Sequence, residues 1–91
     1  MSLKRSNPRR DANEPALIKA LKTCGFAVSR LSGAGLPDLL VSRRGHWHLL
    51  EVKMPKGRTK ASQADFSAQH SAPVLQVRSV PQVVAFSGSV P

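Results

Sequence analysis

Stretches of helical and strand-like periodicity alternate along the chain in an order that suits a layered domain. Leu17, Ile18, Leu21 and Cys24 recur at helical spacing. They follow Asn13, a good N-cap, and Pro15, which sits in a first turn where a missing N–H costs nothing. Gly25 supplies the stop. Residues 26–31 alternate loosely as a strand, and residues 32–37 form a glycine-rich loop. Residues 38–43 and 47–53 read as two short strands joined by a turn at Arg44 and Gly45, a hairpin. A polar basic loop follows. A second helix then starts between Thr59 and Ser62 and ends near His70. Residues 74–79 form another strand, and residues 80–86 a short terminal helix with Pro81 in its first turn. The order α-β-β-β-α-β-α predicts an α/β fold, a mixed sheet flanked by helices. Residues 1–12 bury little and carry Lys4, Arg5, Arg9 and Arg10, so they read as a basic N-terminal arm on a single domain of residues 13–91.

Charge changes this picture more than any other bulk property. Fourteen Lys and Arg stand against five Asp and Glu, a formal net charge of +9. An excess of that sign and size points to nucleic acid. At 91 residues the core is thin, and oligomerisation is an expected aid to stability. The single Cys24 excludes an intrachain disulfide framework and a four-cysteine zinc site. No apolar run approaches the roughly 18 residues of a membrane span, and no secretory signal is visible. The expectation is a cytoplasmic protein. One Trp, three Phe and no Tyr are too few for a single-strand binder built on stacking platforms.

The five acids are few enough to place individually. Asp11 precedes a helix and Asp65 lies early in one, where a carboxylate suits the helix dipole. Glu51 differs. By strand alternation Trp47, Leu49, Glu51 and Lys53 share one face, and His48, Leu50 and Val52 the other. An isolated E-x-K of this kind ordinarily describes a salt bridge at a sheet edge. A symmetric turn at Arg44 and Gly45, however, sets Asp38 opposite Glu51, with Cβ atoms about 5 Å apart. Facing carboxylates repel unless a cation lies between them, and a divalent ion with oxygen ligands fits better than Lys53 alone. Glu14 begins the apolar face of the first helix and is a third candidate, although a first-turn glutamate also suits the dipole. Three other readings stand beside this one, one of them a small structural subunit that dimerises through the apolar residues 80–86. A non-catalytic basic DNA-binding module explains the charge but not the acids. A zinc protein would use Cys24, His46, His48 and His70, without the ligand spacing of structural zinc.

In order along the chain, Gly35-Leu36-Pro37-Asp38, twelve residues, Glu51-Val52-Lys53, then Met54-Pro55-Lys56-Gly57-Arg58 and Gln63 resemble the PD-(D/E)xK nuclease signature. The chain is most similar to the VRR-NUC branch, the virus-type replication–repair nucleases, which includes small stand-alone phage and bacterial proteins. The likeness runs from residue 14 to about residue 78. It implies a restriction-endonuclease-like core in which Asp38, Glu51 and the Val52 carbonyl bind Mg²⁺ or Mn²⁺. Glu14 would complete the site directly or through water, Lys53 would orient the attacking water and stabilise charge on the phosphate, and Gln63 would support Lys53 or the substrate. It further implies a DNA endonuclease, resembling Holliday-junction resolvases, that acts on branched duplex as a homodimer without an organic cofactor. A flap or nicking nuclease of the same fold is the alternative. Lys56, Arg58 and Lys60, with Arg9 and Arg10 of the arm, would grip phosphates. Lys60 and Ala61 replace the family's threonine and proline before Gln63, which weakens the cap of that helix but leaves the metal ligands untouched.

Overall fold

The computed structural model describes residues 11–55, 66 and 68–91. Helix α1 (Glu14–Thr23) leads into strand β1 (Ala27–Arg30), then β2 (Leu39–Arg43), β3 (His46–Val52), β4 (Val74–Val77) and helix α2 (Val80–Ser89). The helix expected between residues 59 and 70 falls mostly outside the described residues, of which Phe66, Ala68 and Gln69 are helical. The four strands form one sheet in the order β1-β2-β3-β4. β1, β2 and β3 pair antiparallel, and β4 adds parallel to β3. The fold is α/β with a mixed sheet, as the periodicity predicts.

α1 ends as its sequence requires. Gly25, at φ 95°, donates to the Lys22 carbonyl, and Phe26 donates to the Leu21 carbonyl. These two bonds make a Schellman stop, which needs a left-handed residue that glycine adopts without strain. Its buried face is Glu14, Leu17 and Leu21. Its start departs from expectation. Asn13 occupies the N-cap position, but its side chain makes no capping bond. The amide instead donates to the carbonyls of Lys53 and Arg78, at 2.9 and 3.0 Å. Two carbonyls at the end of the sheet claim this side chain, and α1 is thereby tethered there.

The hairpin has the register that the sequence predicts. Arg44 (φ 53°) and Gly45 (φ 80°) turn the chain, and pairing runs from Arg43 opposite His46 to Leu39 opposite Leu50. Two positive φ values in a two-residue turn match the right-handed twist of the flanking strands. Opposite residues project to the same side of the sheet, so Leu39 with Leu50 and Val41 with His48 join one face. Leu39, Val41, Leu50, Val52 and Val77 are buried together with Leu17 and Leu21 of α1 and Val83 and Phe86 of α2.

α2 is longer than the expected residues 80–86, and Ser79, assigned above to the preceding strand, caps it by accepting from the Gln82 amide. Arg43 explains the extra turn. Its guanidinium donates to the carbonyls of Cys24, Ser87, Val90 and Pro91 and to the Ser87 hydroxyl, and it stacks 4.1 Å from the Phe26 ring centre. The last carbonyls of a helix lack internal partners, and a fixed cation satisfies them. This contact depends on tertiary structure and leaves no local signal at residues 87–89.

His48 packs edge-on against Phe26 and Phe86, with ring centres 6.1 and 5.3 Å away. Burial lowers its pKa below the ordinary 6.5, and the neighbouring His46 and Arg43 lower it further. Below pH 6.5 the unfolded chain therefore binds this proton more readily than the folded one, and stability falls as the pH drops through that range. Melting temperatures measured between pH 7.5 and 5.5 are expected to decline on acidification, and His48→Phe should flatten the decline.

Candidate active site

β3 ends on charge. Leu50 and Val52 enter the core, while Glu51 and Lys53, on the alternate positions, are 2% and 5% exposed. Lys53 Nζ lies 3.6 Å from Glu51 Oε2. Withdrawing each ion from water costs several kcal/mol in proteins, and a hydrophobic pair of similar volume often serves stability as well or better. In a small domain this is an expensive way to finish a strand, unless the charges are used. The Lys53 backbone is fixed on both sides. Its amide donates to the Val77 carbonyl of β4, and its carbonyl accepts from Asn13.

Asp38 stands one residue before β2, just past the last ladder pair. Its amide donates to the Leu50 carbonyl and its carbonyl accepts from Leu31. Its carboxylate crosses to β3, where Oδ2 accepts from the Val52 amide at 2.8 Å. The side chain thus reaches β3 at the residue between Glu51 and Lys53. The loop before it carries a turn closed by the Leu36 amide on the Gly33 carbonyl, and this loop delivers Asp38 to the sheet end.

Glu14 is 1% exposed at the start of α1. Arg30, at the end of β1, holds its Oε1 at 3.1 Å. Because Arg30 pairs with Leu39, the residue after Asp38, this contact lies at the Asp38 end of β2. The Asn13 tether brings the first turn of α1 to the Lys53 carbonyl on the same edge. Asn13, Arg30 and Arg78 are the residues that sequence reasoning missed. Arg78 donates to the carbonyls of Met54 and Pro55 and so clasps the segment that follows Lys53. Their signal lies in how β1 and β4 add to the hairpin, which no local pattern specifies.

The remaining candidates, Gln63, Lys56, Arg58, Lys60, Arg9 and Arg10, lie outside the described residues. Among the described residues no three His, Cys, Asp or Glu side chains group as a metal cage. The donors that the strand ends offer are the Asp38 and Glu51 carboxylates and the Val52 carbonyl, all hard oxygens. That donor chemistry fits Mg²⁺ or Mn²⁺, which take one or two carboxylates and complete their shells with water and substrate. His48, by contrast, packs against two phenylalanine rings.

No protein-family model matches the chain. No curated protein matches it either. A solved structure described as a VRR_NUC domain superimposes with a TM-score of 0.65 over 84% of this chain and 95% of its own, at 26% identity. No described helix is long and apolar enough to cross a membrane. With the G-x-P-D and E-x-K segments meeting at one end of a sheet of matching fold, this structural likeness supports a VRR-NUC assignment and suggests a nuclease of the PD-(D/E)xK type.

Proposed function

We propose that this chain is a metal-dependent DNA endonuclease that hydrolyses phosphodiester bonds in branched duplex and works as a homodimer. The observation that carries this reading is the buried Glu51–Lys53 pair at the end of β3, with the Asp38 carboxylate anchored one residue away on Val52. A fold gains little from such an arrangement, whereas phosphate chemistry can use it: carboxylates to hold a cation and an ammonium to meet a phosphoryl oxygen. The net charge of +9 supports a polyanionic substrate. The thin core of a 91-residue chain supports self-association. Two such centres in a dimer would suit paired cuts at a four-way junction.

Asp38, Glu51 and the Val52 carbonyl would hold Mg²⁺ or Mn²⁺, with Glu14 added directly or through water. Such an ion supplies a water of lowered pKa and neutralises phosphoryl charge. The other contributions come from the chain. Lys53 points its ammonium toward Glu51 from a backbone fixed by Val77 and Asn13, so it meets the scissile phosphate with little reorganisation. As water oxygen bonds to phosphorus it releases a proton to solvent, the ester P–O bond breaks, and the leaving oxygen takes a proton from solvent. Lys53 donates a hydrogen bond to the phosphoryl oxygen on which charge accumulates. Asn13 acts at one remove, by setting the position of Lys53 against α1.

A panel of linear, flap and four-way-junction DNAs with Mg²⁺ or Mn²⁺ tests the reading. The parent is expected to cut the junction, and EDTA to stop it. Asp38→Asn, Glu51→Gln and Lys53→Ala should each lower kcat by about a hundredfold or more while binding persists. Cleavage at parental rates by all three variants would falsify the assignment. Asn13→Asp tests positioning, because Asp keeps the size of the side chain and suits a helix start but cannot donate to the Lys53 and Arg78 carbonyls. Its kcat is expected to fall by about tenfold to a hundredfold with KM little changed, since small misplacements of a reacting group cost rates of that order.

A further inference from the structure

A cleft of about 660 Å³ opens along the flank of α1 that faces Arg30 of β1. Ile18 contributes an apolar surface to it, and Lys19, Lys22 and Arg30 bring three cations. Among the described residues Glu14 is the one carboxylate that lines it, and its Oε1 is held by Arg30. Lys22 alone has an ordinary explanation, since a cation in the last turn suits the helix dipole. Lys19 lies three residues earlier on the same flank, where that explanation has faded. Arg30 approaches from a different element and keeps its side chain 58% exposed even while it contacts Glu14. Three cations from two elements thus converge on one concavity, and the buried glutamate at its inner end is tied to the Lys53 edge through Asn13.

Dimensions favour a polymer over a small anion. From Glu14 to Lys22 the helix rises about 12 Å, at roughly 1.5 Å per residue. Successive phosphates of one DNA strand advance about 3.4 Å along the duplex axis, so the cleft matches roughly three to four nucleotides. Ile18, beside the lysines, suits the apolar faces of sugars. We infer that this cleft is the track for the nucleic-acid strand on the α1 side of the cut, with Lys19 and Lys22 neutralising its phosphates and Arg30 joining the track to Glu14. The inference rests on the nuclease reading and draws on cations other than Lys56, Arg58, Lys60, Arg9 and Arg10. Such contacts set the position of the strand without reading its sequence.

The test is fluorescence anisotropy of a labelled four-way junction in EDTA, between 50 and 200 mM salt. It compares the parent with the Lys19→Gln/Lys22→Gln double variant and with Arg44→Asn, a charge removed from the hairpin turn at the opposite end of β2. Two lost phosphate contacts should weaken binding about tenfold and lower the slope of log affinity against log salt by about 1.8, at roughly 0.9 per contact. Arg44→Asn should leave the slope unchanged, and circular dichroism should show all three folded. In Mg²⁺ the double variant is expected to raise KM and keep kcat. Equal affinity and slope for parent and double variant, with cleavage intact, overturn the track alone. The same holds if Arg44→Asn lowers the slope as much as the double variant does. A parent that neither binds nor cuts DNA overturns the nuclease reading and the track together.

Discussion

Everything at the charged end of this molecule depends on the register of one hairpin. The turn at Arg44 and Gly45 closes the β2–β3 pairing with no extra residue, so Leu39 meets Leu50 and Val41 meets His48. Side chains alternate with a period of two, and a slip of one residue would send Leu50 and Val52 to the opposite face and bring Glu51 into the core. The same register sets Asp38 one step beyond the ladder, within reach of the Val52 amide. Core and site are therefore fixed by a single geometric choice, because the register that folds the core also carries Asp38 to the end of β3.

A second constraint acts through α1. The Asn13 amide bridges the Lys53 and Arg78 carbonyls, at the ends of β3 and β4, and anchors the helix that carries Glu14. Arg30 then meets Glu14 from the far strand of the sheet. Asn13, Glu14, Arg30, Asp38, Glu51 and Lys53 thus bring polar groups to this edge, while Arg43 gathers the last carbonyls of α2 at the other end of the hairpin. The division is physical. One end of the sheet is stabilised by a cation that satisfies backbone oxygens, and the other holds Glu14, Glu51 and Lys53 away from water at a cost that burial alone does not repay.

The hairpin, its register, the helix stop at Gly25 and the buried Glu14–Leu17–Leu21 face were legible because each rests on local rules: turn chemistry, a left-handed cap and 3.6-residue periodicity. The pattern Asp38…Glu51-x-Lys53 was legible for the same reason, since the hairpin converts sequence spacing into proximity. Asn13 was misread because its capping propensity is local and its real partners lie 40 and 65 residues away. The length of α2 was missed because Arg43, 44 residues before Ser87, completes it. Arg30 was passed over because the loop before Asp38 does not dictate how β1 pairs with β2. Gln63 and the cations of the basic loop lie outside the described residues.

At the centre of the account stands the claim that the ends of β2 and β3 form one divalent-cation site. The most direct measurement is a titration of ¹⁵N-labelled protein with substoichiometric Mn²⁺, followed by amide correlation spectra, because the paramagnetic ion broadens the signals of its nearest neighbours. The account predicts that Asp38, Glu51, Val52 and Lys53 broaden first while Arg44, Gly45 and Val83 stay sharp, and that Asp38→Asn with Glu51→Gln abolishes the effect. Broadening centred on His46 and His48, with Asp38 and Val52 unaffected, would contradict it.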